Sequence, residues 1–418
     1  MLIHWIWLAT RHNITERAKQ ALLDGFHDPE EVYFADQSAY RSVEGLTPEG
    51  MEALADKDLV PSADILQECN RKGIHICTMQ DAAYPSKLKN IADPPLVLYY
   101  KGNLAPLDEA PVIGIVGTRK ATAYGMTTGK KMGYQIAKCG GIVVSGVASG
   151  VDGMAMRGAL TAGGYVVGIL GCGADVVYPM SNKSLYADTE SRGCLLTEFP
   201  PGTPPYGWNF PKRNRLISGL SNGVLVVEAP EGSDALITAK LAADQGRDVF
   251  VVPGNIDVPT CVGSNALLRD GAISVSTGWD VVSEYEMLYP GRLQKNTGMP
   301  RLTAYADEVM AAALETEKEE QKVAQKPRKV RSNPKNDRKI KNIPIDNVQK
   351  ESYSDPSAVL QDLSQQERAL LENIQDACLI DDVIEKMDCP ASEVLSTLTL
   401  LEIKGIVKQL PGGRIKLK

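Results

Sequence analysis

An α/β fold built on a parallel sheet covered on both faces is what the sequence predicts, on three observations. Between about residues 112 and 276, short apolar runs alternate with glycine-rich turns and segments of helical periodicity. The runs are apolar throughout instead of alternating with polar residues, as strands buried on both faces require. On either side the pattern changes, to a helical N-terminal part and to a C-terminal part that reads as three helices and a hairpin. A Rossmann-like central domain is therefore expected, between a small helical N-terminal domain and a C-terminal winged helix.

The first domain is expected over residues 1–75. Residues 15–23 place apolar side chains at helical spacing, and Asp24-Gly25 ends the run. Thr47-Pro48 supplies a capping residue followed by proline at the first helical position. A sterile-alpha-motif or helix-hairpin-helix module fits this pattern, as does a packing domain that contacts no ligand. The opening nine residues are apolar but have no basic region before them and no small-residue cleavage site, so they do not read as a signal peptide.

The central domain is expected over 76–290. Strands fit at 112–116, 142–145, 166–170, 194–197, 223–227 and 249–252, with helices at 124–138, 154–161 and 235–245. Residues 291–358 hold nine lysines and arginines between 322 and 341 and almost no large apolar residues. They read as a disordered basic linker. The tail, 359–418, becomes apolar again at helical spacing. Val394, Leu395, Leu398, Leu401 and Ile403 form the inner face of a third helix, and 406–410 and 414–417 pair through Pro411-Gly412-Gly413. That third helix carries Glu393, Glu402 and Lys404, a poor set for the major groove of a duplex, which favours a packing or protein-contact role.

Composition narrows the chemistry. The net charge of −7 excludes a generic nucleic-acid coat, so any nucleic-acid site must be a local basic patch. Eight scattered cysteines form no C-x-x-C pair, which argues against a zinc ribbon and fits a reducing cytoplasm. No apolar stretch is long enough to span a bilayer, so no membrane association is expected. All four histidines lie in the first quarter, so the central region must work without one.

The stretch 209–215, reading NFPKRNR, stands out. It places Lys212, Arg213 and Arg215 beside Phe210 at what reads as a helix start, with Asn209 as the cap and Pro211 at the first helical position. Cations are unfavourable at that pole of a helix. A local rule broken without visible compensation points to function. Positive charges beside a ring that can stack suit an anionic partner with flat faces, which single-stranded nucleic acid is.

In an open parallel sheet, ligands sit beyond the carboxyl ends of the strands. Five loops there are rich in glycine and polar residues. Gly117, Thr118, Arg119 and Lys120 open the first, where glycine admits a phosphate and Arg119 can grip it bidentately. Ser145, Gly146 and Gly150 belong to the second, with Asp152 read as the cap of the next helix. Gly171-Cys172-Gly173, residues 198–208 and Pro253-Gly254-Asn255 complete the series. Lys240 and Arg247 read as helix-surface charges. No G-x-G-x-x-G opens the first helix and no Walker A lysine-hydroxyl pair exists, so neither a dinucleotide nor a nucleoside-triphosphate cofactor is expected, and no metal.

Together these loops resemble the DNA-processing protein A family, also called Smf, of bacterial transformation and recombination. The resemblance runs through GIVGTRKATAYG (114–125), SGVASGVDG (145–153), GCGADVVYP (171–179), TEFPP (197–201), FPKRNRLISGLS (210–221), GRDVFVVPG (246–254) and GSNALLRDGA (263–272). It departs at Glu231-Gly232-Ser233-Asp234, where the family has a serine-glycine-rich turn. The resemblance implies a protein that binds and protects incoming single-stranded DNA and loads the RecA recombinase onto it, as a homodimer and without catalysis. It also implies a DNA pocket lined by Arg119, Phe210, Arg213 and Arg215, with Lys240 as a further contact. Lys212, Asn214 and Gly254 join the candidate set from the loops that carry the match. The rival reading is a Rossmann-like nucleotide phosphoribohydrolase of the lysine-decarboxylase-like group. Its P-G-G-x-G-T-x-x-E loop compares with the segment from Pro230, but the glutamate after the threonine is missing.

Overall fold

The computed structural model describes residues 1–298 and, of the remainder, residues 370, 371, 374, 378, 379, 394, 397, 398, 401, 407–410 and 414–417. The chain divides into two compact units, Met1–Arg328 and Lys329–Lys418.

The first unit opens with helices α1 (Leu2–Thr10), α2 (Glu16–Phe26), α3 (Pro29–Phe34), α4 (Pro48–Ala55) and α5 (Val60–Lys72). The sequence-read caps act as such: the side chain of Thr15 accepts from the amide of Ala18, and that of Thr47 from Gly50, with Pro48 at the first helical position. The apolar start is packed inward as α1, with Ile6, Trp7 and Leu8 fully buried. A separate hydrophobic cluster holds this module together and takes in Tyr99 and Ala174 of the next segment. Lys72 pairs with Asp175 at 2.8 Å across the same boundary.

One nine-stranded sheet follows, in the order β1-β2-β6-β5-β4-β3-β7-β8-β9. Its strands are β1 (His75–Thr78), β2 (Val97–Gly102), β3 (Val112–Val116), β4 (Ile142–Ser145), β5 (Val166–Ile169), β6 (Cys194–Thr197), β7 (Gly223–Val226), β8 (Asp248–Val251) and β9 (Ile273–Ser274). From β6 across to β9 every pairing is parallel. The sheet is not wholly parallel, however, because β1 and β2 add an antiparallel edge beside β6. Sequence reading located six of these strands to within a residue and missed the two at the antiparallel edge and the short β9.

The helices over the sheet are α6 (Ser86–Lys89), α7 (Ala123–Lys138), α8 (Val151–Thr161), α9 (Lys183–Arg192), α10 (Asn209–Leu220), α11 (Asp234–Asp244), α12 (Val262–Arg269) and α13 (Gly278–Val282). Two apolar clusters, one on each face, explain the largely apolar strands: Met132, Ile136 and Met156 pack on one side, Leu216, Ile217 and Leu220 on the other. Strand order reverses between β3 and β7, which are neighbours although three strands separate them in sequence. That topological switch point is where a doubly wound sheet opens a crevice beyond its strand ends.

In the second unit, strands β10 (Cys378–Leu379), β11 (Val407–Leu410) and β12 (Arg414–Leu417) form an antiparallel sheet in the order β10-β12-β11. The expected hairpin is its β11–β12 pair, in register from Val407 against Leu417 to Leu410 against Arg414. Val394, Leu398 and Leu401 lie in helical segments and are buried. The basic linker beyond residue 298 and the second expected helix of the tail fall outside the described residues; of the first expected helix, Leu370 and Leu371 are described and are helical. Among the described residues, no helix is long and apolar enough to cross a membrane.

Candidate nucleic-acid interface

A cavity of about 460 Å³ lies at the switch point, lined by the loop after β3, the loop after β7 and the first turns of α10. Its walls include Gly117, Thr118, Arg119 and Lys120 on one side, and Pro230 to Ala235 on another. Phe210, Arg213, Asn214 and Ile217 of α10 close the third side. The two loops are locked together by Glu228, which is fully buried. Its carboxylate accepts from the amide of Thr122 at 2.9 Å and from the Thr122 hydroxyl at 2.5 Å, while its carbonyl accepts from the amide of Thr118 at 2.7 Å. The crevice is thus preformed by buried hydrogen bonds.

Arg213 is the central cation. It is 4% exposed, yet it lines the cavity. Its Nη1 donates to the carbonyl of Ile169 at the end of β5, at 2.5 Å, and its Nε has no hydrogen-bond partner. The guanidinium faces the carboxylate of Asp152 across Gly146, where any side chain would collide with both groups. Burial depresses the Arg213 pKa and raises that of Asp152, and the attraction between them opposes both shifts. Among the described residues, no carboxylate comes within ion-pair distance of Arg213. Asn214, buried beside it, lines the same cavity and makes no hydrogen bond through its side chain among the described residues.

Arg119 approaches from the opposite wall. It is half-exposed and paired with Asp234 at 3.0 Å. Its guanidinium lies 5.5 Å from the centroid of the Phe210 ring, and that of Arg213 lies 5.9 Å from the same ring. Phe210 therefore carries two cations, and its ring rests against Gly171, where a Cβ would come within 2.9 Å of it.

The remaining candidates are placed differently. Arg213 and Arg215 are two residues apart on a helix, about 200° around the axis, so they cannot face one ligand. Arg215 turns away from the cavity, 2.5 Å from Glu198 and 3.1 Å from Asp93. Lys212 lies 3.5 Å from Glu198 and 3.6 Å from Glu16, outside the cavity lining. Ser145 is fully buried and donates to the carbonyl of Ile115. Gly150, at φ +76°, lets the backbone of α8 pass under Thr118, and Gly254 leaves room for Cys261. Lys240 is exposed and does not line the cavity.

Two local readings need correction. Asn209 does not cap α10: the helix begins at Asn209 with Trp208 before it, so Pro211 occupies the third position. The Asn209 side chain instead ties two loops, donating to the carbonyls of Gly171 at 3.0 Å and Pro204 at 3.4 Å. Proline is tolerated there because the first four amides of a helix lack partners in any case. Asp152 is likewise no cap; it sits inside α8 and accepts from the amide of Gly146 at 3.1 Å. The wall from Pro230 to Ala235, with Thr238, joins the site although the sequence reading did not select it. In the sequence this segment entered only as a departure from the family pattern and as the rival reading's loop; the strand order, which sets β7 beside β3, brings it to the cavity.

Comparison with known proteins places this geometry in context. The family model for DNA recombination-mediator protein A matches residues 75–286, and that for the DprA winged helix domain matches residues 354–413. The DNA processing protein DprA of Bacillus subtilis is 41% identical over 220 residues, covering 53% of this chain and 74% of that relative. Protein Smf of Synechocystis is 37% identical over 257 residues, covering 60% of this chain and 65% of that relative. The crystal structure of DNA processing protein A from Streptococcus pneumoniae superposes with a TM-score of 0.61 at 31% identity, covering 68% of this chain and 98% of that chain.

Proposed function

The chain belongs to the DNA recombination-mediator protein A family, and from that premise we propose that it binds single-stranded DNA at the switch-point cavity as a recombination mediator. The observation that carries this reading is Arg213, a buried cation on the cavity wall with an unpartnered Nε and no ion pair among the described residues. A phosphate supplies the charge and acceptors that Arg213 lacks. Arg119 completes the grip by exchanging Asp234 for the same phosphate, an exchange made easy because the existing pair is half-exposed. The half-buried ring of Phe210, beside both guanidinium groups, presents its accessible part to a base. These roles need an unstacked base and a flexible backbone, so a duplex fits poorly.

The reading extends to protection of the bound strand, to loading of the RecA recombinase, to a homodimer and to a cytoplasmic setting, all without catalysis. In the rival phosphoribohydrolase reading, the loop from Pro230 would hold the acid. Its two carboxylates are Glu231 and Asp234, and Asp234 is paired with Arg119 at 3.0 Å. The test is equilibrium binding of the full chain to a labelled single strand and to its duplex across a salt series. A clear preference for the single strand is expected, and equal or tighter duplex binding overturns the reading. Release of free base from nucleoside monophosphates would overturn its non-catalytic part.

A further inference from the structure

We propose that the stacked pair Tyr206 and Trp208 is a base-stacking platform for the single strand leaving the cavity, an inference that rests on the cavity's proposed ligand. Trp208 is 71% exposed and Tyr206 45%. Their rings lie face to face, 4.6 Å apart and 10° from parallel. Singly scattered surface aromatics need no explanation, but two parallel, stacked rings in one fixed loop form a platform.

The loop is held by its own hydrogen bonds. The amide of Asn209 donates to the carbonyl of Tyr206 at 3.0 Å, the amide of Tyr206 to Pro204 at 2.8 Å, and the Asn209 side chain to Gly171. Little ordering entropy is therefore lost when a base docks. The platform lies beside the cavity wall, outside its lining: Trp208 immediately precedes α10, and Phe210, the second residue of that helix, lines the cavity. Tyr178, also exposed, leans on Phe210 at 5.5 Å and extends the aromatic surface.

Charge explains why stacking is needed. The nearest cation along the chain, Lys212, is tied to Glu198 and Glu16. In a chain of net charge −7, a strand leaving the cavity gains less from phosphate contacts than from its bases. The occupant is thus an unpaired base, because a duplex keeps its bases stacked on each other.

The full chain is tested against a thymidine dinucleotide and against an oligothymidylate longer than about 16 nucleotides. Trp208→Ala and Tyr206→Ala each weaken binding of the long strand about tenfold, leave its salt dependence unchanged and spare the dinucleotide. Trp208→Phe restores the affinity. The fluorescence quenched by the long strand in the wild-type chain disappears in Trp208→Phe, which isolates this tryptophan from the other three. Arg213→Met weakens both ligands. Wild-type affinity of the two alanine variants for the long strand, beside a weakened Arg213→Met, overturns the platform and leaves the cavity reading standing. Loss in the alanine variants with no loss in Arg213→Met upholds the platform and overturns the cavity reading.

Discussion

Replacing Arg213 by methionine removes the charge while keeping most of the stem. The structure sets two consequences against each other. On the binding side, one charge-assisted contact to a phosphate is lost, worth about 1.5–3 kcal/mol, or roughly 10- to 100-fold in affinity. Each phosphate neutralised on a single strand contributes about 0.7 to the slope of log affinity against log salt, so the slope becomes shallower by about that amount. On the folding side, the contact to the Ile169 carbonyl disappears and Asp152 is left buried without its facing cation. Stability falls, and the double variant Arg213→Met/Asp152→Asn recovers it by removing the stranded charge. Anisotropy titrations over a salt series, on protein whose thermal melt has been recorded, separate the two. The double variant melts near the wild type yet still binds weakly with the shallower slope. Wild-type affinity in that folded variant, or weakened affinity with an unchanged slope, refutes the assignment of Arg213 as a phosphate ligand.

Asp234→Asn frees Arg119 from a pair that is half-exposed on both sides and worth at most about 1 kcal/mol, so single strands bind up to about fivefold tighter at low salt; weaker binding in titrations at matched salt contradicts the exchange. Arg215→Met strands Glu198, buried with only Lys212 left 3.5 Å away, and costs about 3–5 kcal/mol in denaturant unfolding while the DNA salt slope stays the same; a changed slope means that Arg215 reaches the strand. Burial raises the Asp152 pKa above its ordinary value of 3.8, so the folded chain holds that proton more tightly than the unfolded chain. The stability from the protonated form is complete below 3.8 and is lost as pH rises through the raised value. A phosphate nearby raises it further, so binding tightens as pH falls from neutral toward the raised value. Asp152→Asn flattens both profiles, and parallel profiles in wild type and variant would show that Asp152 does not titrate with the site.

Much of the fold was legible because strands covered on both faces leave few polar residues in the sequence. Runs such as VIGIV and IVVS mark β3 and β4 to the residue. The strand β2 was not legible, because it ends in Tyr100, Lys101 and Gly102, half-buried at the join to an antiparallel edge. The first wall of the site was legible from glycine and arginine after β3. The second wall depends on β7 lying beside β3, a long-range pairing that local patterning does not encode. The same holds within 209–215. Charge count marks the segment, but which cation faces the cavity depends on where α10 begins and on which partners surround it.

The partners also resolve the conflict between three cations and the positive pole of a helix. Glu198, on the loop after β6 with its side chain largely buried, takes up Lys212 and Arg215 together. Arg213 instead meets the carbonyl end of β5 and a carboxylate across Gly146, which stabilises the charge without saturating its donors. The helix start is therefore compensated for two cations and open for one. With Arg119 and the exposed Lys120 on the facing wall, three cations address the cavity. At about 0.7 per phosphate, the salt slope for a single strand filling only this cavity is about 2. A slope well above that, measured on the full chain, would require further cations along the strand's path. A slope near it assigns the remaining affinity to the aromatic faces beside α10.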